Sequence, residues 1–274
     1  MPGASPPGGE TPVPILWTGG WDSTFRLLQL LLVEGRSVQP YYVLNPDRPG
    51  LHRELGARAS IATAVSERLP AEVRLLPTTF ALRDEVPVGR WRATVLDLGL
   101  SFQNAWLAAI VEQRGWAGIE LCISRADGNW PSFFERGADG RAVPVDGPVR
   151  DLFGLFRFPL IDLTRRDMVD IAREHGFLDV LQLRWFCWFP SERGRACGTC
   201  PPCHQVRGHA REVPEVLGGV RFRSMLGRGV RRLFPPPGTR DLDPFVWGLR
   251  VRRRRLVKRT RRLLARWHPR RWVR

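Results

Sequence analysis

The sequence predicts an α/β protein: a parallel sheet with helices on both faces, a small cysteine-bearing lobe near the C-terminus, and a basic C-terminal extension. Three observations carry this. Apolar runs of strand length alternate with longer helical stretches from residue 13 to residue 175, the pattern of parallel strands joined by crossover helices. Four of the five cysteines fall between positions 187 and 203. Charge is segregated: residues 1–218 hold 24 Arg against 25 acidic residues, a net of −1, while residues 219–274 hold 18 Arg and Lys258 against two Asp, a net of +17. The overall +16 is therefore a property of the extension, and the body is electrically neutral.

The elements follow in order. Residues 1–12 are Pro, Gly and small polar residues, too poor in apolar surface to order themselves. Residues 13–17 read as a buried strand, and 23–34 as a helix with a broad apolar face. A second strand, 40–44, ends in the turn-rich Asn45-Pro46-Asp47-Arg48-Pro49-Gly50. Residues 51–69 are helical, 72–76 a strand, and 101–114 a helix opened by a Ser101 cap. A buried strand is expected over 119–124, a loop over 125–150 and a short strand over 158–161. Thr164 then caps a helix running to His175 and stopped by Gly176. This divides the chain into a disordered N-terminus (1–12), a sheet domain (13–184), a cysteine-bearing lobe (185–218) and the basic extension (219–274).

Composition excludes several classes. With 43% hydrophobic and 26% charged residues the chain is neither a disordered nor a fibrous protein. Its longest apolar run, residues 27–33, is interrupted by Gln29 and too short to span a bilayer, so no transmembrane segment is expected. The start has no cationic segment leading into an apolar one, and five cysteines are too few for a secreted disulfide scaffold, so the expected location is the cytoplasm.

The first strand runs into Thr18-Gly19-Gly20-Trp21-Asp22-Ser23-Thr24 at the start of the first helix. Two glycines allow a tight turn and close approach of backbone amides to a ligand. The helix start adds aligned N–H groups and a positive dipole end, which suit a phosphate. Thr18 and Ser23 add hydroxyls, and Asp22 offers an oxygen ligand for Mg²⁺. The turn lacks the Lys of a Walker loop and the third Gly of a dinucleotide fingerprint.

The same seven residues resemble the Ser-Gly-Gly-x-Asp-Ser pyrophosphate loop (PP-loop) of the ATP pyrophosphatases, or adenine nucleotide alpha hydrolases. The resemblance implies a Rossmann-like sheet and a site in which Thr18 to Thr24 grip the pyrophosphate of ATP, with Asp22 and Ser23 in catalytic roles.

Cys187, Cys197, Cys200 and Cys203 are spaced C-x9-C-x2-C-x2-C. Three thiolates within seven residues and a fourth on a neighbouring loop can close a tetrahedral Zn²⁺ site that leaves no position open for water, hence a structural one. An iron–sulfur cluster uses the same ligands and stays open as an alternative. His204 and His209 are not needed, and Cys122 reads as core.

Glycine turn and cysteine cluster together resemble the 7-cyano-7-deazaguanine synthases. His52-Arg53-Glu54-Leu55 is similar to that family's His-x-x-Glu-Leu element, one residue short in spacing. Residues 158–164, Phe-Pro-Leu-Ile-Asp-Leu-Thr, resemble its Pro-Leu segment before the cysteines, and residues 197–203 its Cys-Gly-x-Cys-x-x-Cys knuckle. The resemblance spans about residues 13–209 and implies an ATP-dependent C–N ligase, with ATP, Mg²⁺ and Zn²⁺. Its small-molecule partners would be a heterocyclic carboxylate and ammonia, and a homo-oligomer is expected. Three positions depart from the family. Its Arg-Asn is Gln103-Asn104, its Tyr-Pro-Asp-Cys-Arg is replaced by residues 130–134, and its Lys is Arg165; Asp127 keeps the family's Asp. The departures bear on the acceptor, so the alternatives are a divergent PP-loop enzyme with another substrate or a nucleic-acid-binding protein that keeps the fold without catalysis.

Residues 250–274 place Leu256, Thr260, Leu263, Leu264 and Trp267 at helical spacing among arginines. A nucleic-acid contact, an anionic membrane surface or a solvated Arg face are the readings of this extension.

Overall fold

The computed structural model describes residues 11–116, 118–125 and 130–223. Residues 1–10 of the expected disordered N-terminus, Asp127, and the basic extension beyond Arg223 lie outside the described residues.

Five parallel strands form the main sheet in the order β3-β2-β1-β4-β7: β1 Val13–Leu16, β2 Val38–Leu44, β3 Thr79–Leu82, β4 Ile119–Glu120 and β7 Phe156–Arg157. The order runs outward one way from β1 to β3 and the other way from β4 to β7. The reversal between β1 and β4 opens a crevice at their carboxyl ends, the usual ligand site of such sheets.

Alternation along β1 sends Ile15 to one face and Leu16 to the other, and two cores form accordingly. The first gathers α1 Trp21–Leu32, α2 Leu51–Ser66, α6 Arg165–Glu174 and α7 Leu178–Leu181, with Phe25 of α1 against Phe177 at 5.9 Å between ring centroids. The second gathers α3 Trp91–Asp97, α4 Phe102–Arg114 and α5 Pro148–Phe153. Seven consecutive residues of α4, Ala105 to Val111, are buried, which explains why it carries so little amphipathic contrast. Ser101 caps α4 through Gln103 N–H at 3.2 Å, and Gly115, at φ +64°, ends it in the left-handed conformation. Thr164 and Asp167 form a reciprocal capping box at the start of α6.

Several local expectations need correction, and proline explains two. The expected strand at 72–76 makes only one bridge, Leu75 to Val38, and the strand β3 lies at Thr79–Leu82. Val38 bonds Arg74 C=O and Leu76 N–H, but the next donor on β2 would be residue 40, and Pro40 has no N–H to give Leu76 C=O, so pairing resumes only at Tyr41 with Thr79. The strand expected at 158–161 is instead Phe156–Arg157, because Pro159 interrupts pairing and the chain turns at once, Leu163 N–H to Leu160 C=O. The strand expected over 119–124 pairs only at Ile119–Glu120. The expected loop 125–150 contains a hairpin, β5 Phe134–Arg136 with β6 Ala142–Pro144, and the start of α5.

Beyond α7 the chain forms a third cluster around the four cysteines, Phe186 and Phe189, with α8 Pro201–His209 beside it. It then returns: Val213 and Val216 are buried in the first core beneath the sheet. The lobe touches the sheet domain at Gly50, whose N–H donates to Trp188 C=O at 2.9 Å. A Cβ on Gly50 would lie 2.5 Å from Cys187 C=O and 3.0 Å from Trp188 C=O. Gly50 sits at φ −84°, where alanine has no backbone strain, so Gly50→Ala isolates this contact. It should lower stability by about 1–3 kcal/mol, read as a lower urea midpoint with unchanged m-value.

Candidate active site and metal centre

The glycine turn joins β1 to α1 at the crevice. Gly19 has φ +75°, and a Cβ there would come within 2.9 Å of Arg58 Cγ and 3.4 Å of Glu54 C=O. Only glycine suits both constraints. Thr18 and Ser23 meet across the turn, Oγ1 to Oγ at 3.1 Å, and Thr18 N–H donates to Ser23 Oγ at 3.2 Å. Gly20 N–H donates to Thr18 Oγ1 at 3.3 Å. Trp21 to Thr24 form the first turn of α1, whose leading N–H groups have no partner inside the helix. Thr24 is turned inward, where its Oγ1 accepts from Trp17 Nε1 at 3.1 Å.

The acceptor groups around the turn are held from elsewhere in the chain. Gly19 C=O accepts Trp185 N–H at 3.0 Å. Trp17 C=O accepts Arg58 Nη1, while Arg58 Nη2 donates to Thr78 Oγ1 at 2.7 Å and the guanidinium lies 4.1 Å from the Trp17 ring centroid. Burial lowers Arg58 to about 10, still protonated at neutral pH. Asp22, expected to face a metal, is gripped by both terminal nitrogens of Arg165 from α6, with Nη2 to Oδ2 at 2.8 Å. Arg165 and Arg184 are both buried. Burial and then the neighbouring Arg184 charge lower Arg165 to about 9, and burial lowers Arg184 to about 10. Two cations thus stand near the single carboxylate of the turn. Arg184 packs over the Trp21 ring at 5.1 Å and donates Nη2 to Val216 C=O, while its Nε and Nη1 make no hydrogen bond. The excess positive charge favours an anion here. A cavity of about 360 Å³ opens beside Arg165, bordered also by Arg125, Thr164, Arg166, His209 and Glu212.

Sequence reasoning missed Arg48, Arg58 and Arg184, each one arginine among forty-two. Arg48 is the most informative. Its Nη2 donates to Gln103 Oε1 at 2.7 Å, its Nη1 lies 3.5 Å from Glu54 Oε1, and it stacks over Trp188 at 4.9 Å. A guanidinium from the turn after β2 thus stands at the head of α4, where the resemblance counts a lost cation. Glu54 also accepts Tyr42 Oη–H at 2.6 Å.

Cys187, Cys197, Cys200 and Cys203 come together as expected. Their Sγ atoms all lie within 4.8 Å of one another, and all four residues are buried. The Cys197–Cys203 separation of 3.8 Å is close to the sulfur–sulfur edge of a tetrahedron built on Zn–S bonds of about 2.3 Å. Backbone N–H groups of Thr199 and Cys200 donate to Cys197 Sγ at 3.4 and 3.3 Å, and Cys197 N–H donates to Cys187 Sγ at 3.1 Å. Hydrogen bonds among the four thiols hold Cys197 below its ordinary range, while burial and the same bonds push Cys200 and Cys203 above it. Gly198, at φ +76°, makes the knuckle turn. His204 is exposed and outside the cluster, and half-buried Cys122 packs against the first core. The donor set fits Zn²⁺, which these four residues would hold.

One comparison falls on this region. Residues 154–212 match the family model of the queuosine biosynthesis protein QueC. The matched span runs from Gly154 through the Pro-Leu segment and Arg165 to the end of the cysteine cluster, and bears out the resemblance there. It supports a nucleotide-binding enzyme of the queuosine pathway and stops short of the glycine turn, which belongs to the other end of the domain. No curated protein matches the chain. Among the described residues no helix is long and apolar enough to cross a membrane.

Purified protein should carry one Zn²⁺ per chain by elemental analysis, with no visible iron–sulfide absorption. Cys200→Ser should lose the metal and several kcal/mol of stability, because metal binding contributes directly to folding.

Proposed function

We propose that the chain is an ATP-dependent C–N ligase of the 7-cyano-7-deazaguanine synthase type, acting on a 7-deazaguanine-type carboxylate. One observation carries the reading: Arg165, inside the span that matches the QueC model, closes on Asp22 of the glycine turn, 143 residues earlier in the chain. Two separate portions of the resemblance therefore meet at one site, at the switch point of the sheet.

In this reading the acceptor carboxylate attacks the α-phosphorus of ATP, and pyrophosphate leaves. Ammonia then attacks the acyl adenylate, AMP leaves, and an amide forms. In a second round the amide oxygen attacks the α-phosphorus of another ATP and pyrophosphate leaves; loss of AMP and of both protons from nitrogen yields the nitrile. The turn's task is to hold concentrated negative charge as it develops on the leaving pyrophosphate, which preorganised N–H donors do best. Thr18 and Ser23, already hydrogen-bonded to each other, orient their hydroxyls toward the same volume. Asp22, with the Thr18 and Ser23 oxygens, would hold Mg²⁺, which supplies Lewis-acid neutralisation of the phosphates when bound. Asp22 is paired with Arg165, so for Asp22 to hold the ion it would have to release Arg165, whose guanidinium would then be available to the phosphates. Arg48 and Gln103 supply charge and polarity on the acceptor side.

Incubation with ATP, ammonium and 7-carboxy-7-deazaguanine should give AMP, pyrophosphate and the nitrile by mass spectrometry. Gly19→Val, which pushes the turn away from the phosphates, and Asp22→Ala should each lower AMP formation by about 100-fold or more, with zinc content unchanged. Full activity in either variant would place the ATP site elsewhere. AMP release with other heterocyclic carboxylates, but not with this one, would retain the PP-loop chemistry and change the acceptor.

A further inference from the structure

A second cleft, of about 540 Å³, lies between the segment after α7 and the cysteine lobe. Arg193, Arg195 and Arg221 are among the residues that line it, together with Trp185 and the buried Arg184. No carboxylate lines it, and none of the four arginines forms an ion pair with a carboxylate among the described residues. Arg193, Arg195 and Arg221 are exposed. Arg184 is only 2% exposed, and its Nε and Nη1 are left without a hydrogen-bond partner. Elsewhere on the surface arginines commonly find acids, as Arg68 does with Asp179 and Arg173 with Glu215. A concave surface that presents three exposed cations with no carboxylate in its lining is poised for a ligand with several negative charges.

The walls are held in place. Ala196 N–H donates to Arg221 C=O at 2.8 Å and Arg223 N–H to Ala196 C=O at 2.9 Å, which fixes the 193–196 and 219–223 segments side by side. Trp185 Nε1 donates to Cys187 C=O at 2.8 Å, which holds the indole as an aromatic wall. Guanidiniums around an aromatic ring are the means by which proteins take a nucleic-acid strand without reading its sequence: charge tracks the phosphates, and the ring stacks on a base.

We propose that this cleft binds a single nucleic-acid strand through its phosphodiester backbone. Two observations favour a strand over a free nucleotide. A nucleoside triphosphate travels with a metal ion that seeks oxygen ligands, and the cleft lining offers no carboxylate. The wall at Arg221 also leads straight into residues 224–274, which hold 16 Arg and Lys258 against two Asp, a net of +15, so the charge of the cleft continues along the chain. Trp185 N–H to Gly19 C=O makes the cleft a neighbour of the glycine turn.

The test uses the full chain and fluorescence anisotropy with labelled oligo(U) and oligo(dT) of about 12 nucleotides. The triple variant Arg193→Ala/Arg195→Ala/Arg221→Ala should bind about 10-fold or more weakly. Its log–log salt dependence between about 50 and 200 mM should be shallower by about 2, from three lost phosphate contacts in a single strand. The corresponding triple Lys variant should keep the slope. The double variant Arg193→Ala/Arg195→Ala, confined to an exposed turn, should lose about 1.4 of slope, and so decides the matter should the triple variant lose its zinc. Stronger retention of oligo(U) than of oligo(dT) would identify RNA as the strand, and equal loss for both a general polynucleotide site. Unchanged affinity and slope in the Ala variants would overturn the proposal. So would displacement of oligo(U) by equimolar Mg–ATP, or loss of binding to phosphatidylserine vesicles with oligonucleotide binding intact. Pyrophosphate release, measured in parallel, should be unaffected, which separates this site from the proposed adenylation.

Discussion

The arrangement depends on presenting the head of α1 to an anion while three acceptors beside it are occupied from elsewhere in the chain. Trp17 C=O is taken by Arg58, Gly19 C=O by Trp185 N–H and the Asp22 carboxylate by Arg165. With oxygens engaged from behind, the N–H groups at the head of α1 remain the groups on offer, and the field at the turn is positive. The three partners come from α2, the segment after α7, and α6, so the turn is the point on which separate parts of the domain converge. A strand-to-helix turn held only by its own two glycines would lack that preorganisation.

The same economy places charge. The body carries a net of −1, yet Arg58, Arg165 and Arg184 are buried within reach of the turn or its neighbours. Each is held over an aromatic ring or by a specific oxygen: Arg58 by Trp17 and Tyr42, Arg184 by Trp21 and Phe186, Arg165 by Asp22. Buried guanidiniums are costly unless so partnered. The body's positive potential is therefore local, made by burial and not by surplus.

Much of this was legible in the sequence, and the limits are physical. Alternation of apolar runs gave the parallel sheet because buried strands and crossover helices have different lengths. Gly19-Gly20 and the cysteine spacing were legible because φ +75° and a tetrahedron of thiolates admit few residue types. Element ends were not, since Pro40 and Pro159 act by removing one N–H each, an effect that depends on which neighbour needs it. The hairpin at Phe134–Pro144 was hidden within a polar stretch whose pairing is local. Least legible were the arginines. Nothing in sequence separates Arg48, which meets Gln103 across 55 positions, from its many exposed counterparts. The exchange of a cation between the head of α4 and the turn after β2 appears only when the two are seen together.

The return of the chain after the cysteines has a mechanical consequence. The lobe is entered from α7 and left through Val213 and Val216, both in the core beneath α1. It is thus a loop tied to the sheet domain at both ends, not a pendant domain on a linker, and the Gly19 and Gly50 contacts both pin its entry, at Trp185 and Trp188. Cys187 lies two residues beyond Trp185, whose N–H holds Gly19 C=O, so the state of the thiolates is a boundary condition on how firmly the glycine turn is held.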